Sequence, residues 1–586
     1  METVNIKING RDYTVDKNAT VLDACREANI NIPTLCFMKD INAIGACRLC
    51  LVEIKGARSF AAACVQPVGE GMEIFTNTPA IQKARKFNLE LLLSDHDKDC
   101  LACIKNQHCE LQKYCIEYGV TDSNRFAGKM NEFEVEQATP YIVRDNNKCI
   151  LCRRCAAVCK HNQGVGIIGP NDRGFDSHIG CAFETTLDEN PCIGCGQCTV
   201  ACPTGALHEK DDTDKVWEAL ADPSKHVAIC AAPSVRATLG ECFGMEPGTD
   251  VEGKMVAAMK RLGFDGVYNM NLSADLTIME EATEFLERFT KGGKLPLMTS
   301  CSPGWIKFCE HYYPEFIDNL SSCKSPQQMF GAIYKTYYAQ KHGIDHKDIV
   351  FVSAIPCTAK KFEVSRDNQN AAGVPDVDVA ITTRELGRMI EKSGIDFKSL
   401  PDEEFDEAFQ IGTGAGAIFG ATGGVMEAAL RTAAFSLGVK LDKLELPEVR
   451  GTQGIKKASY KLGNHTINVA VVSGTANARK LLDAIKNGEE KDIHFIEVMA
   501  CPGGCVNGGG QPIQPMQLRN YTDLKSIRAK VLYDADAGLP LRESHKNPQV
   551  LALYQDFLEN PGSHKAHEIL HTTYVARGNA TNKNFN

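Results

Sequence analysis

The sequence predicts a multidomain α+β protein, and three observations support that prediction. The chain has 586 residues, a length that corresponds to three or four domains of ordinary size. Of its 26 cysteines, 18 precede residue 203, which indicates a modular cysteine-rich half joined to one large domain. Beyond residue 213, short apolar runs such as Val227–Ala231 and Ile349–Ser353 alternate with helix-like segments, as in α/β layers whose strands are buried on both faces.

Charge and composition exclude some classes of function. The net charge of −10 argues against nucleic acid as the main partner, because binding phosphates requires clustered positive charge. The first ten residues, METVNIKING, lack the basic and apolar regions of a secretory signal. The longest uncharged stretch, residues 408–426, contains six glycines and would make a poor membrane span. We therefore expect a cytoplasmic protein with no membrane span, in which dense cysteine favours metals over disulfides.

Residues 1–78 carry a hairpin, a helix and a cysteine loop, in the order of a β-grasp ferredoxin. Apolar residues alternate on either side of the turn Asn9-Gly10, and Thr20 opens an amphipathic helix. Four cysteines follow with the spacing C-x10-C-x2-C-x13-C: Cys36, Cys47, Cys50 and Cys64. Four thiolates suit a [2Fe–2S] cluster, and zinc is the alternative. The ten-residue loop resembles that of the large electron-transfer subunit of respiratory NADH dehydrogenases rather than the plant type.

Residues 79–120 are predicted to be largely helical, and they belong to a second domain, 79–140, that contains another group of ligands. These have the spacing H-x3-C-x2-C-x5-C: His96, Cys100, Cys103 and Cys109. The spacing alone would also suit a zinc site with three thiolates and one imidazole. The position between two iron–sulfur patterns favours a [4Fe–4S] cluster, whose reduction potential the neutral imidazole would raise.

Residues 141–212 contain the motif CxxCxxCxxxC twice. The eight cysteines are Cys149, Cys152, Cys155, Cys159, Cys192, Cys195, Cys198 and Cys202. In bacterial two-cluster ferredoxins the fourth cysteine of each run binds the other cluster. We therefore predict a ferredoxin-like domain with two [4Fe–4S] clusters, in which Cys202 completes the first run and Cys159 the second.

Three distant loops of the large domain each present cysteine beside glycine or proline. They are residues 299–305 (TSCSPGW), 355–363 (IPCTAKKFE) and 497–510 (EVMACPGGCVNGGG). One metal centre at an interface between layers would explain their common character, and three unrelated buried cysteines are the alternative. A chain of accessory clusters also requires a group at its end that consumes or supplies electrons.

These loops resemble the signatures of the [FeFe] hydrogenases, TSCCPxW, MPCxxKxxE and ExMACxxGCxxGGG. The order of the upstream clusters matches the long members of that family. The resemblance implies reversible H2 oxidation and proton reduction at a two-iron site that carries CO, cyanide and a bridging dithiolate. It implies that Cys357, Cys501 and Cys505 bind a [4Fe–4S] cubane and that Cys505 bridges to the two-iron site. One [2Fe–2S] and three accessory [4Fe–4S] clusters would supply electrons.

Other roles also follow from the resemblance. Lys360 would donate a hydrogen bond to a cyanide ligand. The residues expected around the cluster are Ala232, Pro233, Ser234, Ser300, Ser302, Gln327 and Met499. The expected proton path runs through Arg288, Glu284, Ser321, Glu281 and Cys301. Glu281, Glu284 and Arg288 would share one face of a helix, as such a path requires.

Two positions depart from the family pattern. Ile355 stands where the motif has methionine, a modest change in packing. Ser302 stands where the second cysteine of the TSCCP motif binds the cubane. Either Ser302 supplies an oxygen ligand and Cys301 relays protons, or the loop is shifted so that Cys301 binds iron and Ser302 relays.

The expected partner is a flavin-bearing, NAD(P)-linked diaphorase subunit in a hetero-oligomer, as in multimeric NAD(P)-linked or electron-bifurcating hydrogenases. No flavin or nicotinamide fingerprint occurs in the chain itself, since the glycines at 412–420 follow no clear strand. A stand-alone ferredoxin hydrogenase is the competing hypothesis, and a non-catalytic relay or cluster-assembly protein is a hypothesis of another class. We expect residues 213–586 to form the catalytic domain, with a C-terminal helical segment like a hydrogenase small subunit.

Overall fold

The computed structural model describes residues 2–578, and its first part is a five-stranded mixed sheet with one helix. The elements are β1 (Thr3–Ile8), β2 (Arg11–Asp16), α1 (Val21–Glu27), β3 (Leu51–Ile54), β4 (Ala61–Ala62) and β5 (Glu73–Phe75). The strand order is β2-β1-β5-β3-β4, with β1 parallel to β5 and antiparallel to β2. The expected hairpin turns at Asn9-Gly10, where both residues have positive φ. Thr20 and Asp23 form the expected capping box of α1.

Two helices follow, and the second group of predicted ligands lies at and between their facing ends. They are α2 (Pro79–Leu93) and α3 (Glu110–Glu117). Thr78 caps α2 through its side chain, and Pro79 occupies the first turn, where a missing N–H costs nothing. The prediction of a largely helical segment is correct for these two stretches, but the ligand segment itself is irregular.

The next part consists of two short antiparallel ribbons and two short helices. The elements are β6 (Ile142–Arg144), α4 (Arg154–His161), β7 (Ile168–Asn171), β8 (His178–Cys181), α5 (Gln197–Ala201) and β9 (Leu207–Glu209). Strand β6 pairs with β9, and β7 pairs with β8. Each helix follows a residue with left-handed backbone, Arg153 before α4 and Gly196 before α5, which turns each cysteine run sharply into its helix.

Two four-stranded sheets form the large C-terminal part. The first, in the order β11-β10-β13-β14, is entirely parallel: β10 (His226–Ala231), β11 (Gly266–Asn269), β13 (Ile349–Ile355) and β14 (Val379–Thr382). The second has the order β12-β17-β16-β15: β12 (Leu297–Met298), β15 (Ile455–Leu462), β16 (His465–Ser473) and β17 (Phe495–Met499). In the second sheet only the β15–β16 pair is antiparallel. The predicted alternation of buried strands and helices is therefore observed.

Helices cover both sheets. Those up to residue 400 are α6 (Thr213–Ala221), α7 (Glu252–Leu262), α8 (Asn271–Lys291), α9 (Pro303–Tyr312), α10 (Pro326–Ile333), α11 (Ala339–His342), α12 (Ala359–Glu363) and α13 (Thr383–Lys392). Those beyond are α14 (Gly414–Ala417), α15 (Gly424–Ser436), α16 (Thr475–Lys486), α17 (Met516–Tyr521), α18 (Leu524–Gly538), α19 (Pro548–Leu553) and α20 (His564–Leu570). Within residues 2–578, no helix combines the length and the apolar character needed to cross a membrane.

Helix α8 lies between the two sheets and contributes to both cores. Leu272 and Leu276 pack in the core of the first sheet. Ala274, Ile278 and Phe285 pack in the core of the second. The helix therefore reaches the interface where the carboxyl ends of the parallel strands meet, which is the usual place for a functional site in such sheets.

Candidate active site

Four loops that follow strand ends enclose one cavity between the two sheets. Residue 232 follows β10 and Cys357 follows β13, both in the first sheet, whereas Cys301 follows β12 and Cys501 follows β17 in the second. The cavity has about 830 Å³ of space free of protein atoms, part of which is open to solvent. Eleven residues predicted for the site line it: Ala232, Pro233, Ser234, Cys301, Ser302, Gln327, Cys357, Lys360, Met499, Cys501 and Cys505. Parallel strands in two adjacent sheets thus bring together loops separated by more than 200 residues.

Ser300 is the predicted cavity residue that the structure places outside the lining. Its hydroxyl donates to the carbonyl oxygen of Cys323 at 2.7 Å, and the residue is 2% exposed. The side chain therefore stabilises the loop from behind.

Three thiols in the cavity have the chemistry expected of metal ligands. Burial raises the pKa of Cys357, raises that of Cys505 to about 12 and raises that of Cys501 further, and neighbouring thiols add to the shifts of Cys501 and Cys505. Burial makes a free thiolate unfavourable here. Coordination to positively charged iron compensates the negative charge of a bound thiolate. The donor set therefore fits an iron–sulfur cluster.

Lys360 is held at the cavity wall by a buried ion pair. Its Nζ lies 2.9 Å from Oε2 of Glu363, which also accepts from the Ser325 hydroxyl at 2.7 Å and from Nε2 of Gln327 at 2.6 Å. Oε1 of Gln327 is buried and has no hydrogen-bond partner among the described residues. Glu363 thus fixes both Lys360 and Gln327 beside the cavity, where one donor and one unused acceptor fit a polar ligand.

Cys301 and Ser302 lie in different surroundings on the same cavity wall. Oγ of Ser302 accepts a hydrogen bond from the backbone N–H of Ala500 at 3.2 Å, directly beside Cys501. Burial raises the pKa of Cys301 well above its usual range. The charges of Glu281, Lys360 and Cys505 also act on this thiol. The serine therefore faces the cysteine cluster and the cysteine faces the acidic helix.

The predicted acidic path lies on α8 and runs from the core toward the surface. The exposed fraction of the side chain increases from 0% at Glu281 to 13% at Glu284 and 20% at Arg288. Nη2 of Arg288 donates to Oε1 of Glu284 at 2.6 Å, and the Ser321 hydroxyl donates to Oε2 of Glu284 at 2.8 Å. The structure therefore places all the predicted path residues in one region.

Glu281 is the buried end of this path. Both of its carboxylate oxygens lack a hydrogen-bond partner among the described residues. Burial, reinforced by the neighbouring Glu284, raises its pKa to about 8. The Ser321 hydroxyl already donates its only hydrogen to Glu284. Glu281 can therefore bond to that hydroxyl only when its own carboxyl group is protonated and acts as the donor.

Sequence reasoning missed a second buried network that reaches Glu284. Hydrogen bonds join Oγ of Ser322 to Nδ1 of His571 at 2.8 Å and Nε2 of His571 to Oε2 of Glu280 at 3.0 Å. The Tyr554 hydroxyl donates to Oε1 of Glu280. Glu280 follows no motif, and its partners lie more than 270 residues away, so no local pattern could have revealed the network.

The two cysteine runs assemble two separate cavities. Cys149, Cys152, Cys155 and Cys202 line one of about 370 Å³. Cys159, Cys192, Cys195 and Cys198 line the other, of about 400 Å³. Each cavity thus contains three cysteines of one run and the fourth of the other, which is the grouping that the motif predicts. Cys195 also lines the large cavity.

The exchange of fourth cysteines predicts a selective loss of metal. In Cys202→Ala, the cluster associated with Cys149 should lose a ligand, so we expect its electron paramagnetic resonance signal to change or disappear and iron to fall by about four atoms per chain. In Cys159→Ala, the other cluster should be affected. Comparison of the two spectra provides the test, and loss of the same signal in both variants would contradict the exchange.

The first group of cysteines lies where the N-terminal sheet meets the helices α2 and α3: Cys50 and Cys64 pack in the core of the sheet, and Cys36 and Cys47 pack against the two helices. Sγ of Cys50 and Sγ of Cys64 are 3.4 Å apart, and hydrogen bonds from Cys47 and Cys64 lower the pKa of Cys36. All four thiols are buried. A compact set of four sulfurs fits a small iron–sulfur cluster.

The second group combines a buried imidazole with more accessible thiols. His96 is buried, and its Nδ1 has no hydrogen-bond partner among the described residues. Burial lowers its pKa to about 4, so the ring is neutral at physiological pH, as a metal ligand must be. Cys103 and Cys109 are partly buried, whereas Cys100 is exposed. This segment therefore supplies one neutral imidazole with an unused nitrogen and three thiols, the donor types that a metal site requires.

Five family models match the chain in the order expected. The C-terminal domain of the iron-only hydrogenase large subunit matches residues 225–509, and the iron hydrogenase small subunit matches 522–577. A 2Fe-2S iron–sulfur cluster binding domain matches residues 1–79, and the iron–sulfur binding region of NADH-ubiquinone oxidoreductase G matches 85–124. A 4Fe-4S binding domain matches residues 185–208.

Known proteins resemble the chain over nearly its whole length. The NADP-reducing hydrogenase subunit HndD of Solidesulfovibrio fructosivorans is 47% identical over 98% of this chain and 100% of its own. Iron hydrogenase 1 of Clostridium pasteurianum is 44% identical over 97% of this chain and 99% of its own. A solved variant of the apo [FeFe]-hydrogenase of Chlamydomonas reinhardtii has 41% identity and a TM-score of 0.55, covering 62% of this chain and 99% of that one. The chain therefore belongs to the [FeFe] hydrogenase family, and it carries [2Fe–2S] and ferredoxin-like domains as well as its hydrogenase domain.

Proposed function

We propose that the chain catalyses 2H⁺ + 2e⁻ ⇌ H2 in the cavity between the two sheets. One observation carries this proposal: the cavity that contains Cys357, Cys501 and Cys505 adjoins both a buried acidic path and a cysteine cavity. The path begins at Glu281 beside Cys301, and the cysteine cavity shares Cys195. A hydrogenase requires both routes to end at one site that excludes bulk water.

Cys357, Cys501 and Cys505 would hold a [4Fe–4S] cubane, with Cys505 also bridging to a two-iron site. When bound, this group supplies the redox chemistry that makes and cleaves the H–H bond. Ala232, Pro233, Ser234, Gln327 and Met499 would line its binding space, and Lys360 would donate a hydrogen bond to it.

The chain's own residues would move the protons. Because the pKa of Glu281 is raised to about 8, the carboxyl group is protonated at neutral pH and able to pass its proton toward Cys301. Ser321 and Glu284 would then restore that proton, and Arg288 keeps Glu284 fixed at the outer end. Reversal of the same transfers would remove protons during H2 oxidation.

We propose that Cys301 is the relay and that Ser302 occupies the fourth position at the cubane. The surroundings of the two side chains support this register, since Ser302 bonds to the Ala500 amide beside Cys501 and Cys301 interacts with Glu281. The shifted arrangement would require both side chains to exchange places.

Electrons would enter through the accessory clusters. We propose one [2Fe–2S] cluster on Cys36, Cys47, Cys50 and Cys64, and three [4Fe–4S] clusters on the remaining ligand groups. Domain limits at 1–78, 79–140, 141–212 and 213–586 are supported by the confinement of each ligand group to one segment. Cys195 lines both its own cluster cavity and the large cavity. The cluster that it binds would therefore be the final electron donor.

The full-length similarity to an NADP-reducing hydrogenase subunit supports an NADP-linked role for this chain. We propose that it is the catalytic subunit of a cytoplasmic hetero-oligomer whose flavin-bearing partner exchanges electrons with NAD(P). Ferredoxin is the second candidate partner, because the relative from Clostridium is an iron hydrogenase aligned over almost the same length.

Infrared spectroscopy on anaerobically matured protein tests the central proposal. We expect CO and cyanide stretching bands together with H2 uptake and evolution, and absence of these bands would defeat the proposal. Co-purification of a tagged chain followed by an assay of H2-dependent NADP⁺ reduction tests the partner. Evolution of H2 from reduced ferredoxin by the isolated chain would favour the second candidate instead.

A further inference from the structure

A second large cavity lies where three parts of the chain meet. We call it the junction cavity, and it has about 1080 Å³ of space free of protein atoms, part of which is open to solvent. Its lining includes Lys39 and Asp40 from the N-terminal part, Val158 and Gln197 from the two-cluster part, and Arg519 and Lys525 from the C-terminal part. The cavity is therefore formed only when the three parts are packed together.

Three cations of this lining have no carboxylate partner among the described residues. No ion pair involves Arg519, Lys39 or Lys525, whereas Arg528, also in the lining, is neutralised by Glu241 at 2.6 Å. Nη1 of Arg519 donates to the carbonyl oxygen of Val200 at 2.7 Å, and its other nitrogen atoms have no partner among residues 2–578. Asp40 is the only carboxylate in the described lining.

Such a set of charges favours a bound anion. Lys39 is exposed and Arg519 and Lys525 are partly exposed, so a small anion can reach all three side chains from the solvent. A guanidinium has a fork of donors that matches the oxygens of a tetrahedral oxyanion, and lysine adds mobile charge beside it.

We propose that the junction cavity binds a free inorganic oxyanion of the phosphate class. The guanidinium of Arg519 forms its main contact, and Lys39 and Lys525 supply the remaining positive charge. The site goes beyond the proposed function, because it takes no part in proton transfer or in H2 chemistry.

The junction cavity lies near predicted cluster ligands, so a bound anion would affect electron transfer. Its walls include residues directly beside cysteines of two groups, namely Val158 beside Cys159 and Gln197 beside Cys198 in one group, and Pro502 beside Cys501 in the other. Negative charge near an iron–sulfur cluster disfavours its reduced form, which carries one more electron. A bound oxyanion therefore lowers the reduction potentials of the adjacent clusters and links these potentials to phosphate concentration.

Binding of inorganic phosphate to the iron-loaded full-length chain tests the site. In calorimetric titrations at constant ionic strength, we expect one saturable site for phosphate and none for chloride. Arg519→Gln should weaken the binding at least tenfold, and Lys525→Gln should weaken it by a smaller factor. Lys530→Gln is the matched control, because Lys530 lies on the same helix as Lys525, is exposed and pairs with Asp534 outside the cavity.

Redox titration followed by electron paramagnetic resonance tests the consequence. Phosphate should lower the midpoint potentials of accessory clusters in the wild type and in Lys530→Gln, but not in Arg519→Gln. Equal responses to phosphate and chloride in the wild type would show that the cavity holds only water and would overturn the proposal. Equal phosphate affinity in all three variants would also overturn it, whatever their hydrogenase activity.

Discussion

Glu281→Gln is expected to reduce H2 turnover by at least two orders of magnitude while leaving the iron content unchanged. The glutamine has the same shape but cannot release a proton, and Glu281 is the buried end of the path beside Cys301. Loss of one positioned proton-transfer group usually costs a factor of about 10² to 10⁴. Steady-state assays in both directions, with iron analysis and infrared spectra, provide the measurement.

Glu287→Gln supplies the matched control for this variant. Glu287 lies on the same helix, pairs with Lys291 and is largely exposed. We expect its turnover to remain within a factor of about two of the wild type, because exposed ion pairs contribute little. Near-normal turnover in Glu281→Gln would contradict the assignment of the path, and a fall in iron content would reveal a structural role instead.

Glu281→Gln should also change how the stability of the protein depends on pH. The folded protein holds the Glu281 proton up to a pKa of about 8, whereas the unfolded chain releases it near the ordinary value of 4.5. Stability of the wild type therefore falls as pH rises through that window, by at most about 5 kcal/mol from this group. The glutamine side chain of the variant does not ionise, so the melting temperature of Glu281→Gln relative to that of the wild type should rise between about pH 4.5 and about pH 8.

The second large effect is expected at Cys301. Cys301→Ala should reduce turnover by about three orders of magnitude and preserve the CO and cyanide bands, because it removes the group between Glu281 and the cluster site without removing a cubane ligand. Ser302→Cys should do the opposite, altering the spectrum of the cubane through a new thiolate ligand while retaining much of the turnover.

These two variants distinguish the two registers left open by the TSCSP motif. If the loop were shifted, Cys301→Ala would lose the cubane and Ser302→Cys would leave its spectrum unchanged. Ser302→Ala is the control for Ser302→Cys, because it removes the hydroxyl that accepts from the Ala500 amide without adding sulfur. Electron paramagnetic resonance of the oxidised and CO-bound states provides the measurement.

The parts of the site that could be predicted are those whose chemistry is local in sequence. Cluster ligands repeat at short spacings because one loop must present several sulfurs to one metal group, so the two CxxCxxCxxxC runs specified even the exchange of Cys159 and Cys202. The helical spacing of Glu281, Glu284 and Arg288 likewise predicted that their side chains share one face of a helix.

The parts that could not be predicted depend on packing between distant segments. Nothing near Ser302 indicates that it would meet the Ala500 amide, and no motif contains His571 or Glu280. The orientation of Ser300 away from the cavity required the actual direction of the loop. The junction cavity exists only through the contact of three parts, so its unpaired cations look like ordinary surface charges in the sequence.

Helix α8 anchors part of the proposed proton route in the protein core. Its residues belong to the cores of both sheets, and its inner two turns are almost entirely buried. A segment anchored on both sides opens to solvent only when the surrounding core opens, so its amide hydrogens exchange at the slowest, global rate. The helical part of the proposed route, Glu281 and Glu284, is consequently protected against local fraying, whereas Ser321 and Cys301 lie in loops that open more easily.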